Sequence, residues 1–314
     1  METIQMDIAN FNLTFGNDHA PMLEYLEDYL WPAINMDFVR IKGDNKFSFS
    51  SLEIIETERG YALTGLLIVD TKLVIKSERD NDGKLVESNK SFPSSPYSYF
   101  CIFLKNHRMV FIKNQKGSPD LKSLGVTVRS FLSEYKKQEN KRRKDNKLPS
   151  FNLNVIGIPT KKNVEEYLKT VNKIKKMRMR FYPLNGEDID LDDLAIQKIM
   201  EIVTPRKFVG SNTGSLQFNS PENKENVGHL MSGLNGTVET TLEVEYFDGN
   251  KGKIKNSQVS EKISIDVDSE QIIDEIDVIV ETAEELDLIK KESNENNKIY
   301  AKYLDRIKQL IPFK

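Results

Sequence analysis

The chain has 314 residues, 38% hydrophobic and 30% charged, with sixteen Phe and eleven Tyr, a composition that supports real cores and excludes wholesale disorder. Its apolar runs, such as Leu66-Leu67-Ile68-Val69, fall far short of the roughly 20 residues a membrane-spanning helix needs. The formal net charge of −3 conceals an asymmetry: residues 1–100 carry 9 Lys+Arg against 16 Asp+Glu, residues 101–180 carry 21 against 6, and residues 181–314 carry 15 against 26. The middle block therefore stands at 21 − 6 = +15 between two acidic flanks, whereas ordinary surfaces intersperse the two signs.

The N-terminus METIQMDIANFNLTF lacks the charged-then-apolar pattern of a signal peptide. The single cysteine, Cys101, lies in the apolar run Tyr99–Leu104 and reads as a buried small hydrophobe in a reducing compartment. These features predict a soluble, cytoplasmic protein with no direct membrane insertion.

Along the first hundred residues, Ile4 to Phe15 alternates loosely as a strand. Pro21 to Ile34 predicts a short helix with Leu23, Leu26, Tyr29 and Leu30 on one face. Three strand-like runs follow, at Phe47–Phe49 with Leu52–Glu56, at Tyr61–Val69 and at Leu73–Ser77, separated by turn residues that suit an antiparallel meander. Ser88 to Pro96 reads as loop because Pro93 and Pro96 punctuate it. Tyr97–Leu104 and Met109–Lys113 predict a hairpin joined by Lys105-Asn106-His107-Arg108. Ser118-Pro119-Asp120 is a good helix start, and Leu121, Leu124, Val128, Phe131, Leu132 and Tyr135 recur at helical spacing after it. Past Tyr135 the apolar stripe stops and basic residues continue to Lys147, either as a projecting helical end or as a mobile loop closed by Pro149.

The second half opens with a strand over Phe151–Ile158, then a helix whose buried face is Val164, Tyr167, Leu168, Val171 and Ile174. Met177–Tyr182 alternates as a strand, and Asp192–Val203 is a helix. Gly210–Pro221 reads as a loop or interrupted strand, and His229–Leu234 as part of a short helix. Thr237–Phe247 and Gly252–Ile265 flank the Asp248-Gly249-Asn250 turn as the clearest hairpin, before a charged helical tail from Ser269 to Leu310 with a break near Ser293-Asn294. The expected fold is α+β, antiparallel sheets with packed helices in two domains, 1–148 and 149–314. The late hairpin and the charged tail suggest self-association into a homodimer or higher homo-oligomer.

The basic block points to nucleic acid, because Lys and Arg bind dense phosphate charge partly by releasing condensed counterions. Candidate contacts are Lys136, Lys137, Lys141, Arg142, Arg143 and Lys144 in the basic extension, Lys161, Lys162, Lys173 and Lys176, and the strand face Arg178, Arg180 and Tyr182. There Arg178 and Arg180 would be phosphate forks and Tyr182 a stacking or hydrogen-bonding ring. The same residues also suit a solvated face, or a clamp against the acidic C-terminal helix. A metal-dependent nuclease would need clustered carboxylates, for which Glu243, Glu245 and Asp248 near Lys251 and Lys253 are the candidates, with Glu53, Glu56 and Asp70 a looser set. His19, His107 and His229 lie beside no Cys or acid pair at ligand spacing. Without a P-loop, G-x-S-x-G elbow or dinucleotide fingerprint, no catalytic residue and no cofactor is expected.

The order of a sheet-rich N-terminal part, the hairpin FCIFLKNHRMVFIKN, the helix SPDLKSLGVTVRSFLSEY, the unit NVIGIPTKKNVEEYLKTVNKIKKMRMRFYPLN and the hairpin EVEYFDGNKGKIKNSQVSEKISI resembles the phage-exclusion proteins of the RexA type and related abortive-infection families. The resemblance is one of layout over residues 97–285. It implies a two-domain α+β protein that dimerises and binds DNA, rather than RNA, with little sequence preference. It also implies an antiviral role in phage infection, in some cases with a membrane-protein partner that executes the response.

Overall fold

The computed structural model describes residues 2–187, 193–268 and 272–311. The fold is α+β: a large curled antiparallel sheet, a smaller antiparallel sheet, and helices packed against both. Strands of the first part are β1 (Glu2–Phe15), β2 (Ala20–Pro21), β3 (Arg40–Lys42), β4 (Asn45–Thr57), β5 (Gly60–Arg79), β6 (Leu85–Ser94), β7 (Tyr97–Phe103) and β8 (Arg108–Lys113). Residues 22–34 form consecutive helical turns ending in α1 (Trp31–Ile34), and α2 (Leu121–Arg142) follows β8. Next come β9 (Phe151–Gly157), α3 (Lys161–Leu168), β10 (Val171–Phe181), α4 (Leu194–Val203), α5 (Pro205–Phe208), β11 (Gly214–Asn219), α6 (Lys224–Gly233), β12 (Val238–Tyr246) and β13 (Lys251–Lys255). The chain ends with β14 (Lys262–Val267), α7 (Ile276–Glu284), α8 (Asp287–Lys290) and α9 (Asn294–Gln309). No helix among the described residues is long and apolar enough to cross a membrane.

The large sheet runs β14-β1-β8-β7-β5-β4-β3, with β9 also on β1 and β6 also on β5. Both its faces are covered. Phe11, Leu13, Phe15, Leu67, Phe100 and Phe111 pack beneath α2, α9 and the 22–34 turns, while Met6, Ile8, Tyr99, Cys101 and Ile112 pack beneath α7 and α8. Cys101 and the Tyr99–Phe100 run fill these cores as expected, and burial pushes the Cys101 thiol pKa up, keeping it protonated. The small sheet runs β11-β10-β12-β13. Its inner face, Val171, Ile174, Met177, Met179, Phe181, Leu242 and Val244, packs against α3, α4 and α6 through Val164, Leu168, Ile196, Ile199, Val227 and Met231.

Several expected elements change. Tyr61–Val69 and Leu73–Ser77 are one strand, β5, and the segment read as loop from Ser88 pairs with it as β6. The basic residues past Tyr135 continue α2 as helix through Arg142, capped at its start by Asp120 rather than Ser118. The helix after Thr160 stops at Leu168, so Val171 and Ile174 belong to β10. Two register shifts, between Val171 and Lys173 and between Ile174 and Lys176, keep both side chains inward at a spacing of three. Gly210–Pro221 contains strand β11, and the late hairpin is only β12 and β13. The next strand, β14, pairs instead with β1 in the large sheet. A division at 148/149 therefore does not follow the sheets: β9, β14, α7, α8 and α9 all join the first, and residues 171–255 carry the second. Asp192 and Ser269, where two predicted helices begin, lie outside the described residues; α4 starts at Leu194 with Asp193 as its cap, and Ser293 caps α9 at the predicted break.

Buried polar bonds fix the small sheet against the large one. Asn10 Nδ2 donates to Glu187 Oε1 (3.0 Å), Asn12 Nδ2 to the Pro183 carbonyl (2.7 Å) and Arg108 Nη1 to the Asn235 carbonyl (2.7 Å). Gly236 sits in the same seam at φ +72°, and a Cβ there would stand 2.9 Å from Ile158 Cγ1, so only glycine fits.

Candidate nucleic-acid interface

With helices on only one side, the small sheet leaves alternate residues of each strand facing outward. On β10 these are Lys173, Lys176, Arg178 and Arg180; on β12 they are Glu245, Glu243, Thr241 and Glu239; on β13 they are Lys251, Lys253 and Lys255. The register sets Lys176 opposite Glu243, Arg180 opposite Glu239, and Glu243 opposite Lys253, so a ladder of acids runs between two rows of cations. Lys175 Nζ lies 2.6 Å from Glu245 Oε2, while Glu243 is spanned by Lys176 at 3.7 Å and Lys253 at 3.5 Å. Lys175 first, and then Lys251 and Lys173, hold the Glu245 carboxyl below the usual carboxylate range. Among the described residues, Lys173, Arg178, Arg180, Lys251 and Lys255 make no direct ion pair, and Arg178 Nη2 reaches only Gln217 Oε1 at 3.3 Å. A hollow of about 200 Å³ is lined by Lys176, Arg178, Thr241, Glu243, Lys253 and Lys255.

A second groove, of about 270 Å³, adjoins the first at Lys255 and runs between the small sheet, β9 and α2. Lys122, Val126 and Arg129 line it from α2, their spacing putting all three on one helix face. Arg129 Nη2 also donates to the Leu153 carbonyl of β9 at 2.7 Å. Lys122, Arg129 and Lys136 stand seven residues apart, and an α-helix drifts only about 20° per seven residues. The groove side of α2 thus continues as a basic stripe about 20 Å long.

The sequence-predicted residues separate accordingly. Lys173, Lys176, Arg178 and Arg180 share the outer sheet face, Lys136 lies along the α2 stripe, and Arg143 follows the end of that helix in extended backbone. Lys137, Arg142 and Arg143 are tied to Glu134 and Glu139 on the same helix, while Lys141 and Lys144 are exposed beside them. Lys161 and Lys162 open α3, whose other side packs against α6 on the covered face of the sheet, and Lys161 lies 3.8 Å from Glu165. Tyr182 is not a stacking platform: only 8% exposed, it donates its hydroxyl to Glu239 Oε2 at 2.7 Å, with the Arg180 guanidinium 5.2 Å from its ring. Burial and the Glu239 bond push its phenol pKa well up.

The proposed metal ligands are each committed elsewhere: Glu243 and Glu245 to lysines, and Asp248 to the backbone and side chain of Asn250 in its own turn. Among the described residues no group of three or more His, Cys, Asp or Glu is placed to hold a metal ion. His229 bonds Asp193, and His107 is buried in the β7–β8 turn. Lys122, Arg129 and Lys255 were not singled out from sequence. The seven-residue repeat on α2 and the alternation Lys251-x-Lys253-x-Lys255 were the available signals.

No curated protein matches the chain. The family described as "Domain of unknown function (DUF4747)" matches residues 4–284, which include both sheets and the groove between them, and the chain belongs to that family.

Proposed function

We propose that this protein binds double-stranded DNA through its phosphates, with little regard to base sequence, and acts in the cytoplasm as a sensor or effector of phage exclusion. The observation that carries the DNA reading is the open outer face of the small sheet, where cations of β10 and β13 flank the β12 acids and meet Lys122 and Arg129 across the adjoining groove. Exposed ion pairs contribute only about 0–1 kcal/mol, so phosphates can displace the glutamates from their lysines at small cost. The described outward positions of these strands hold no aromatic side chain. Single-strand binders draw much of their affinity from base stacking, so a face without rings suits the regular phosphate array of a duplex. The antiviral setting rests on the resemblance in element order to phage-exclusion proteins.

The test is a mobility shift at low salt with labelled duplex. Arg178→Glu, Arg180→Glu and Lys255→Glu combined should weaken retention at least about 100-fold, and each lost phosphate contact should lower the log–log salt slope by about 0.9. Arg142→Glu with Arg143→Glu should weaken it less, because both arginines already pair with Glu139. Unchanged retention in the triple variant would sink the proposal. Equal capture of heparin would point to a docking face for an acidic protein, and nicking of a plasmid with Mg²⁺ would move the reading to a nuclease. In cells, protection against phage plating should disappear with the same triple variant.

A further inference from the structure

Beyond Asp70, strand β5 leaves both of its neighbours in the large sheet, because pairing with β4 ends at Asp70 and pairing with β7 ends at Ile68. Residues 71–94 continue as a two-stranded ribbon of β5 and β6, turned at Asp80–Gly83, and β6 pairs with no other strand. An isolated two-stranded ribbon is marginal in water and should be polar. This one instead exposes Leu73 (60%), Val74 (55%), Leu85 (75%), Val86 (38%) and Phe92 (50%). Directly opposed residues share a face of the ribbon: Leu73 with Phe92, Ile75 with Lys90, Ser77 with Glu87, and Arg79 with Leu85. One face therefore carries Leu73, Phe92, Ile75 and Leu85 interspersed with Lys90, Glu87 and Arg79, while Val74 and Val86 lie on the other.

We infer that this ribbon is a dimerisation arm whose partner is the same arm of a second copy of the chain. Charge selects that occupant. Between residues 71 and 94 the arm carries Lys72, Lys76, Arg79, Lys84 and Lys90 against Glu78, Asp80, Asp82 and Glu87, a balance of 5 − 4 = +1. A phosphate-binding arm would be strongly basic, whereas an isologous two-fold contact requires a patch complementary to itself, which mixed charge around an apolar strip supplies. The unpaired edges of both strands add backbone donors and acceptors that a second ribbon can satisfy. Of the elements first expected to mediate self-association, α9 is packed into the core of the large sheet, and the open face of the β12–β13 hairpin is charged rather than apolar. A second concentration of exposed apolar side chains, Leu194 and Ile202 on α4, Phe208 at the end of α5 and Val209 after it, provides the control.

The experiment is sedimentation velocity on the full chain without nucleic acid, at tens of micromolar protein. The wild type should sediment as a dimer, at twice the 36.1 kDa of one chain. Leu73→Glu with Phe92→Glu should halve the mass while circular dichroism keeps the wild-type spectrum, and Phe208→Glu should remain dimeric. A Phe92→Cys variant should form an inter-chain disulfide under oxidation, since native Cys101 is buried. A monomeric wild type, a dimer that survives Leu73→Glu with Phe92→Glu, or a dimer dissociated only by Phe208→Glu each overturns the inference. So does a monomer that floats with anionic lipid vesicles through Phe92. None of these readouts involves nucleic acid, so failure here leaves the DNA proposal standing and the converse holds too.

Discussion

The two sheets are built from the same antiparallel pairing but are covered differently, and the difference separates stability from chemistry. In the large sheet β7 and β8 are buried almost end to end, because helices lie on both faces. Their side chains have no outlet to solvent and serve packing. In the small sheet β10 and β12 alternate buried with exposed or half-exposed residues, because α3, α4 and α6 cover one face only. Every second position is then free to carry charge without a desolvation penalty. A one-sided sheet keeps a rigid core while presenting a regular lattice of side chains.

Truncation should expose this contrast most sharply. Phe111→Ala, at a fully buried position of the large sheet, should cost about 3–5 kcal/mol, whereas Arg178→Ala on the open face should stay within about 0.5 kcal/mol. Denaturant midpoints of the two variants measure it. If Arg178→Ala destabilised as much as Phe111→Ala, the division of labour between the sheets would be wrong.

Acid should act through the large sheet and salt through the small one. Burial first, and the neighbouring Arg108 charge second, push the His107 imidazole down from 6.5 to about 3. Its folded-state pKa lies below its unfolded value, so between these limits the unfolded chain binds the extra proton and stability falls as pH drops. The loss should reach about 1.4 kcal/mol per pH unit. His107→Asn retains a residue that tolerates the positive φ of 59° and should flatten that limb in urea titrations at neutral and mildly acidic pH. An unchanged acid limb would remove His107 as its cause. The smallest effect is expected at Glu243→Gln, which releases Lys176 and Lys253. Stability should move by less than about 1 kcal/mol, while duplex affinity at low salt rises several-fold. Equal affinities for wild type and Glu243→Gln would show that the acid ladder does not compete with phosphate.

Much of what depends on near neighbours in the chain is legible from the sequence. The basic block, the β7–β8 hairpin, the break near Ser293 and the alternation Met177-Arg178-Met179-Arg180-Phe181 all follow from spacing within a few residues, where backbone geometry and solvent exposure act directly. Val171 and Ile174 misled because a bulged strand can bring residues three apart to one face, as a helix does. The segment from Ser88 misled because Pro93 signals a break, yet β6 pairs only with β5, and an unpaired edge can accommodate proline. Tertiary structure alone decided that β13 and β14 part into different sheets, that Tyr182 is spent on Glu239, and that α2 faces the small sheet across a groove. Those outcomes rest on contacts such as Asn10 with Glu187 and Arg108 with Asn235, more than a hundred residues apart in the chain. Local preference carries no information about them, because their free energy exists only once both partners are buried in the same seam.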